Sequence, residues 1–329
     1  MMKKSVRNII IGSGVAVGTL AIVGVGSHIV SQKLMDVALD RDVKIKQSAE
    51  PNRAKKLAGV KYSEDFLAAV AESKERLEKL ELETVHIEGY DGEHLTGHWF
   101  GSKDAKRTVI AMHGWRSSWA KDFGMISDFL HREGCNVLYA EQRGQNESGR
   151  KHMGMGMLER YDCLEWIKWV NEKNGENMPI YLAGISMGAT TVLMATGLTL
   201  PSNVRGVIAD SGFTSADAIF KHITEDNLHI SYNIRKNTVN GIFEKKINMK
   251  ADAYSALDAM KACKVPVLFI HGSSDGFVPV DMTYENYNAC SAARKLLIVP
   301  GADHGMSYYL ARNEYEGAVL EMWNKYDCL

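Results

Sequence analysis

A serine, an acid and a histidine, each on a short loop after an apolar run, are the residues of this chain best suited to chemistry. Ser186 lies in Gly184-Ile185-Ser186-Met187-Gly188, Asp275 in His271-Gly272-Ser273-Ser274-Asp275, and His304 in Pro300-Gly301-Ala302-Asp303-His304-Gly305. A serine hydroxyl is a poor nucleophile by itself, but a neutral imidazole can remove its proton during attack. A carboxylate can fix the tautomer of that imidazole and stabilise the imidazolium. These residue types predict nucleophilic catalysis, with Ser186 as nucleophile, His304 as general base and Asp275 as orienting acid.

Ser186 is expected at a sharp turn between a strand and a helix. An apolar, strand-like run at Pro179–Ala183 precedes its motif, and a helical run at residues 187–199 follows. Gly184 and Gly188 suit such a turn because a Cβ atom at either position would collide with neighbouring elements. The turn exposes the hydroxyl and points the N-terminus of the next helix at a developing oxyanion. A G-x-S-x-G alone is a weak signal, and its placement here strengthens it.

Two backbone amides are predicted to form an oxyanion hole. His113-Gly114-Trp115 ends the apolar run Thr108–Met112, and in hydrolases with a G-x-S-x-G turn this loop supplies one of the two amides. The residue after the nucleophile supplies the other. The predicted donors are therefore the N–H groups of Trp115 and Met187. Without Ser186, the same glycine would simply indicate a turn.

Two residues near this set compete for the same roles. Ser211 also follows a predicted strand, but it lacks a preceding glycine and a matching helix start. Asp303 adjoins His304, yet neighbours on one loop rarely face each other in triad geometry. No zinc site is expected, since no cysteine lies in a CxxC pair or near a histidine at metal-ligand spacing. Acyl transfer by these three residues requires no metal or organic cofactor, so none is expected. The cysteines are Cys135, Cys163, Cys263, Cys290 and Cys328.

The candidate residues lie on loops of an alternating series of strands and helices. Strands are predicted at residues 84–87, 95–100, 108–112, 136–140, 179–183, 204–209, 265–270 and 296–299, and helices at 118–132, 156–172, 187–199, 281–292 and 314–326. Apolar strands separated by helices indicate a mostly parallel sheet covered on both faces. The segment 213–250, which contains Phe213, Phe220, Tyr232 and Phe243, exceeds the length of a simple crossover. It is predicted to be a lid over the sheet edge where such sheets bind ligands.

Residues 83–329 resemble the α/β-hydrolase superfamily of serine hydrolases. His113-Gly114 matches its HG motif, and His271 to Asp275 with Val278-Pro279 resembles its H-G-x-x-D-x-x-V-P acid loop. Arg143 to Ser148 resembles its R-G-x-G-x-S turn, with Asn146 in place of the second glycine. The order Ser, Asp, His is also that of the superfamily. The resemblance implies an α/β-hydrolase fold with helices on both faces of the sheet and an inserted helical lid.

The N-terminus carries the one break in composition. No charged residue occurs between Arg7 and Lys33, and a helix of that length could cross a hydrocarbon layer about 30 Å thick. This predicts a hydrophobic helix that anchors the protein in a membrane as a single-pass segment at residues 1–32, followed by a helical connector at 33–82 and the catalytic domain at 83–329. Basic residues flank both sides, and their slight bias favours an extracytoplasmic catalytic domain. With this anchor, the chain is similar to membrane-anchored bacterial proteins of the BEM46 and prolyl-oligopeptidase-like branch.

Composition and charge narrow the function further. The apolar fraction of 45% is that of an ordinary folded protein, and the net charge of −1 gives no field that would favour nucleic acid as a partner. The expected reaction is hydrolysis of an ester of a small-molecule acyl substrate through an acyl-enzyme on Ser186. The alternatives are a serine peptidase or an acyltransferase with the same residues, and a non-catalytic membrane-tethered scaffold. The intact Ser-Asp-His set speaks against the scaffold.

Overall fold

A single mixed sheet forms the centre of the molecule. The computed structural model describes residues 28–43, 60 and 62–327, and over these residues eight strands pair in the order β1-β2-β4-β3-β5-β6-β7-β8. The strands are β1 (Glu83–Glu88), β2 (His94–Phe100), β3 (Arg107–Met112), β4 (Cys135–Ala140), β5 (Ile180–Ile185), β6 (Val204–Asp210), β7 (Val267–Gly272) and β8 (Arg294–Val299). The β1–β2 and β2–β4 pairs are antiparallel, and every other pair is parallel. The predicted opening hairpin and parallel sheet are confirmed.

Helices cover both faces of this sheet. They are α1 (described over residues 28–39), α2 (Glu64–Glu78), α3 (Trp119–Arg132), α4 (Glu159–Asn174), α5 (Met187–Ala195), α6 (Ala216–His222), α7 (Lys236–Ile247), α8 (Ala256–Ala262), α9 (Val280–Ala289), α10 (Ser307–Leu310) and α11 (Arg312–Tyr326). Alternate residues of one strand enter opposite cores: Val109 packs with α3 and α11, whereas Ile110 packs with α4 and α5. This two-sided burial explains why the central strands read as continuous apolar runs.

The boundaries of the elements follow local chemistry. Strand β7 begins at Val267, two residues later than the predicted start, because Pro266 has no N–H to donate to a ladder. Helix α3 begins after Ser118, whose side chain accepts a hydrogen bond from the N–H of Lys121, as expected of an N-cap. Gly124 of α3 lies against the backbone of Ser73 in α2, where a Cβ atom would meet main-chain atoms at 2.8 Å. The close approach of these two helices therefore requires glycine at this position.

The insert between β6 and β7 contributes to the core as well as to a cover. It consists of α6, a π-helical turn at Ile223–Asn227, and α7. Its aromatic side chains Phe213, Phe220, Tyr232 and Phe243 are all at least 94% buried and belong to the same core cluster as strands β3 to β7. The Phe220 and Phe243 rings meet edge to face at 5.9 Å. Removal of the whole segment would therefore open the main core.

The prediction of a single-pass membrane protein is corrected by the structure. Among the residues described, no helix is both long and apolar enough to span a bilayer. Most of the predicted anchor, residues 1–27, lies outside the described part of the chain. Where the description begins, α1 buries Ser31, Met35 and Leu39, one residue per turn, and Met35 and Leu39 pack in the protein core.

Candidate active site

The turn at Ser186 has the backbone of a strained strand-to-helix connection. Ser186 follows the end of β5 and precedes α5, with φ 55° and ψ −118°, a conformation that non-glycine residues rarely adopt. Its N–H donates to the carbonyl of Asp210 at the end of the neighbouring strand β6, at 2.8 Å. A Cβ atom on Gly184 would overlap the backbone of Gly188, and one on Gly188 would overlap that of Met112. The two glycines are therefore required by close backbone contacts.

The structure brings the three predicted residues together at the carboxyl edge of the sheet. His304 Nε2 lies 2.9 Å from Ser186 Oγ, and His304 Nδ1 lies 2.8 Å from Asp275 Oδ2. Ser186 follows β5, Asp275 follows β7 and His304 follows β8. Since a carboxylate only accepts hydrogen bonds, the Nδ1 of His304 carries a proton and its Nε2 is free to accept one from the serine hydroxyl. This is the geometry of a nucleophile, base and orienting acid.

The Asp275 carboxylate is completely buried and receives hydrogen bonds at both oxygens. Oδ1 accepts from the N–H groups of Phe277 at 2.9 Å and Val278 at 2.8 Å. His271 Nε2 lies 3.1 Å from Oδ2 and 2.9 Å from the Val278 carbonyl, so it must carry the proton that it shares between them. Burial would raise the pKa of Asp275, but His304 and His271 outweigh it and hold that pKa well below its usual range. The acid is therefore ionised at neutral pH.

The loop of His304 is fixed from several sides. Burial would lower the pKa of His304, but the Asp275 carboxylate outweighs this and raises the pKa above its usual value. Asp303 Oδ1 accepts from the N–H groups of His304 at 2.7 Å and Gly276 at 3.1 Å, so it ties the histidine loop to the acid loop. Tyr62 donates to the His304 carbonyl at 2.9 Å. Asp303 thus has a role in holding the loops, while the ring nitrogens of His304 face Asp275 and Ser186.

The two predicted oxyanion donors flank the serine. Met187 is the first residue of α5, and its N–H lies at the helix N-terminus. Trp115 follows Gly114, whose ideal Cβ position lies 3.3 Å from the Cβ of Ser186, so this loop approaches the serine closely. The Gly114 N–H donates to Asp122 Oδ2 at 2.6 Å. Within the described residues, the N–H groups of Trp115 and Met187 make no hydrogen bond to a protein acceptor.

Comparison with known proteins identifies the family of the chain. Residues 121–326, which carry Ser186, Asp275 and His304, match the prolyl oligopeptidase family. The chain belongs to the prolyl oligopeptidase family. A curated relative is the uncharacterized protein YqkD of Bacillus subtilis (strain 168), 28% identical over 77% of this chain and 81% of its own length.

Solved structures share the fold of this prolyl oligopeptidase family member. Esterase Pf2001 of Pyrococcus furiosus superposes with a TM-score of 0.62 over 77% of this chain and 95% of its own, at 23% identity. Est1E of Butyrivibrio proteoclasticus, solved with ferulic acid, superposes with a TM-score of 0.56 over 74% of this chain and all of its own, at 18% identity. The predicted α/β-hydrolase superfamily is confirmed, and the chain is a hydrolase of that superfamily.

The competing serine occupies a different setting in this family member. Ser211 is fully buried, has φ 58° and donates to Asp210 Oδ1 at 3.0 Å. Burial raises the pKa of Asp210 to about 6. No imidazole contacts Ser211 among the hydrogen bonds of the described residues, so it lacks the base that Ser186 has. Asn146, the departure from the superfamily turn, has φ 48°, a left-handed conformation that asparagine tolerates better than most residues.

Several residues that shape the site of this family member carry no strong sequence signal. Asp122 accepts from Gly114 and from the hydroxyl of Ser117, yet in the sequence it is one carboxylate in the first turn of a helix. Tyr62 and Arg116 act through contacts with segments far away in the chain, and no local pattern identifies them. Among the described residues, no group of three or more His, Cys, Asp or Glu side chains could hold a metal ion.

Proposed function

We propose that this chain hydrolyses carboxylic esters through an acyl-enzyme on Ser186. The proposal is carried by one observation: His304 contacts both Ser186 Oγ, at 2.9 Å, and the buried carboxylate of Asp275, at 2.8 Å. A serine in hydrogen-bond contact with an oriented imidazole is an activated nucleophile. Membership of a hydrolase family and the likeness of the fold to esterases support the same reaction class.

Acylation begins with attack of Ser186 Oγ on the substrate carbonyl. His304 Nε2 takes the hydroxyl proton as the new C–O bond forms, and Asp275 stabilises the resulting imidazolium. The N–H groups of Trp115 and Met187 donate to the oxyanion, a term worth a factor of roughly 10² to 10³ in kcat per donor. When the tetrahedral intermediate collapses, the imidazolium returns the proton to the leaving alcohol, and the acyl group stays on Ser186.

Deacylation repeats these steps with water as the nucleophile. His304 Nε2 takes a proton from the water as it attacks the acyl carbonyl, and the same two amides bind the second oxyanion. The proton then moves to Ser186 Oγ as the carboxylic acid leaves. Bonds and protons balance without a further reactant, so the reaction needs only ester and water.

The side chains around His304 favour an apolar or aromatic acyl group. The ring of Phe277 meets that of His304 edge to face at 5.1 Å, and the indole of Trp115 stacks on Phe277 at 6.2 Å. Ser186 itself is only 5% exposed. Est1E, a structural neighbour, was solved with ferulic acid, an aromatic carboxylic acid, which is compatible with this class of acyl group.

Fluorophosphonate labelling tests the nucleophile. The wild-type protein should react covalently and Ser186→Ala should not, while Ser211→Ala serves as the matched control and should label like the wild type. Mass spectrometry of the labelled peptide then locates the adduct. Labelling that persists in Ser186→Ala, or an adduct found on Ser211, would refute the assignment.

A panel of substrates tests the reaction class. We expect kcat/KM for p-nitrophenyl esters to rise by about fourfold per added acyl carbon while the pocket fills, because each buried methylene contributes about 0.8 kcal/mol, and then to fall. Phe277→Ala, which removes the ring that packs against His304 but no proton-transfer group, should flatten that dependence. Peptide p-nitroanilides belong in the same panel, since the family name raises a peptidase as the second candidate. Faster turnover of the anilides than of any ester would favour the peptidase.

A further inference from the structure

Two consecutive side chains of the oxyanion loop, residues 113–117, bind the end of helix α1. The indole N–H of Trp115 donates to the Ala38 carbonyl at 2.7 Å. The guanidinium of Arg116 donates to the Val37 carbonyl at 3.0 and 2.7 Å and to the Asp40 carbonyl at 2.6 Å. The last carbonyls of a helix have no partner within the helix and attract cations. We call residues 35–41 the N-terminal strap.

The N-terminal strap is firmly seated on its other sides. Met35 and Leu39 are buried in the main core. The Leu39 carbonyl accepts from the Met153 N–H at 2.8 Å, and Arg41 donates to the Ser148 and Asn146 carbonyls at 2.7 and 2.5 Å. These contacts connect the strap to the segment that follows β4. The strap is therefore a fixed part of the folded domain.

Helix α7 of the insert also contacts the strap. Lys246 forms ion pairs with Asp36 at 2.9 Å and with Asp40 at 3.6 Å, and its side chain is only 12% exposed. The strap thus lies between the insert and the oxyanion loop. A shift of either neighbour would change the contacts of the strap with the other.

The oxyanion loop needs such support. Arg116 has φ 49°, and a non-glycine residue keeps a left-handed backbone only where its surroundings impose it. On the sheet side, Asp122 holds the loop through Gly114 and Ser117. On the outer side, Trp115 and Arg116 contact the strap, and Asn146 Nδ2 donates to the Ser117 carbonyl at 3.0 Å. The amide of Trp115, one of the two oxyanion donors, belongs to the residue that is held in this way.

We propose that the N-terminal strap is a positioning element of the active site, which holds the Trp115 N–H where the oxyanion develops. The inference rests on the proposed function, because the oxyanion belongs to that reaction. Strap residues touch no reacting atom and act through the loop. Loss of the contacts between the strap and the loop should therefore weaken binding of the transition state more than binding of the ester.

Two substitutions in the loop remove its contacts with the strap. Trp115→Phe keeps an aromatic ring against Phe277 but removes the indole N–H that binds Ala38, and Arg116→Ala removes the contacts with Val37 and Asp40. Lys33→Ala, an exposed position on the same helix, is the control for loss of one cation. All three are made in the full chain, and urea unfolding establishes that each variant is folded.

We expect kcat to fall by roughly tenfold in Trp115→Phe and in Arg116→Ala. This fall is smaller than the one seen when an oxyanion donor is removed altogether. KM should stay within about twofold, and the inhibition constant of an alkyl trifluoromethyl ketone, which forms a tetrahedral adduct, should rise in step with the loss of kcat. Lys33→Ala should match the wild type in all three quantities. If either loop variant is folded and has an unchanged kcat, or if only its KM rises, the inference is overturned.

Hydrogen exchange separates this inference from the proposed function. If the strap holds the loop, amides 113–117 should exchange at least severalfold faster in Trp115→Phe than in the wild type, whether or not the protein turns over esters. Unchanged exchange would refute the strap as a support. Absence of fluorophosphonate labelling in the wild type would instead refute the proposed function.

Discussion

Replacement of Asp275 by asparagine should stop turnover while the fold is retained. Both oxygens of the buried carboxylate accept hydrogen bonds, Oδ1 from the N–H groups of Phe277 and Val278, and Oδ2 from His304 and His271. An amide offers one accepting oxygen and one donating NH₂ group. If the oxygen keeps the two backbone donors, the NH₂ group faces His304 Nδ1. That nitrogen can accept a hydrogen bond only in the tautomer that has no hydrogen on Nδ1. The Nε2 of His304 then carries a hydrogen and cannot take the proton of Ser186.

The size of the effect follows from this change of tautomer. In a serine protease triad the corresponding substitution lowers kcat by about 10⁴, which equals about 5.4 kcal/mol of transition-state stabilisation. The opposite amide orientation would place NH₂ against two backbone donors, and leaving buried donors unsatisfied costs about 1–3 kcal/mol of stability each. We therefore expect the inactive tautomer, a kcat lower by up to ~10⁴, and a modest loss of unfolding free energy.

Steady-state hydrolysis of a p-nitrophenyl ester and urea unfolding measure the two quantities. Asp303→Asn is the matched control, because its oxygen can still accept from the N–H groups of Gly276 and His304, which Asp303 Oδ1 binds. It should lose less than about tenfold, or about 1.4 kcal/mol. A loss below tenfold for Asp275→Asn, combined with a crippled Asp303→Asn, would show that the acid has been assigned to the wrong residue.

Three further predictions concern pH, the oxyanion loop and the serine turn. Because Asp275 raises the pKa of His304 above about 6.5, kcat/KM should fall on the acid side through a pKa above that value, and an acid limb at or below it would contradict the assignment. Asp122→Asn should lower kcat roughly tenfold with little change in KM, since the charged acceptor of the Gly114 N–H is lost; an unchanged kcat would show that the loop does not need it. Gly188→Ala should lower the urea unfolding free energy by roughly 3 kcal/mol or more, because the added methyl overlaps backbone, and a fully stable variant would refute that overlap.

The sequence was most informative where local chemistry and periodicity agree. The strands at 108–112 and 136–140 were predicted within one residue of their bounds, because a strand that is buried on both faces is apolar at nearly every position. The glycines around Ser186 predict the turn for a local steric reason, because a Cβ atom at either position would collide with neighbouring elements. The role of the insert was harder to predict, because the same aromatic residues suit a lid and a core. Its four aromatic side chains proved to be core residues.

The N-terminus shows where prediction from composition fails. An uncharged stretch before Lys33 has the composition of a membrane helix, but composition does not say what the apolar side chains contact. Directly after that stretch, Met35 and Leu39 pack in the core, and carbonyls of residues 37–40 accept hydrogen bonds from Trp115 and Arg116. Backbone carbonyls are present in every sequence, so the partners of such bonds cannot be identified from residue types.

The distance that His304 must cover explains why so many distant groups hold its loop. Strands β5 and β8 are separated by β6 and β7, so at about 4.8 Å per strand their ends lie about 14 Å apart. The chain from Val299 to His304 can extend at most about 17 Å. The loop turns at residues 300 and 301, where the Ala302 N–H donates to the Val299 carbonyl at 3.4 Å, and the side chain of His304 reaches Ser186 Oγ at 2.9 Å. Asp303 and Tyr62 fasten His304 from the side, and Ser307 binds Asp210 at the end of the intervening strand β6, at 3.1 Å. The imidazole therefore lies three strands away from its own strand with the support of hydrogen bonds that other segments of the chain supply.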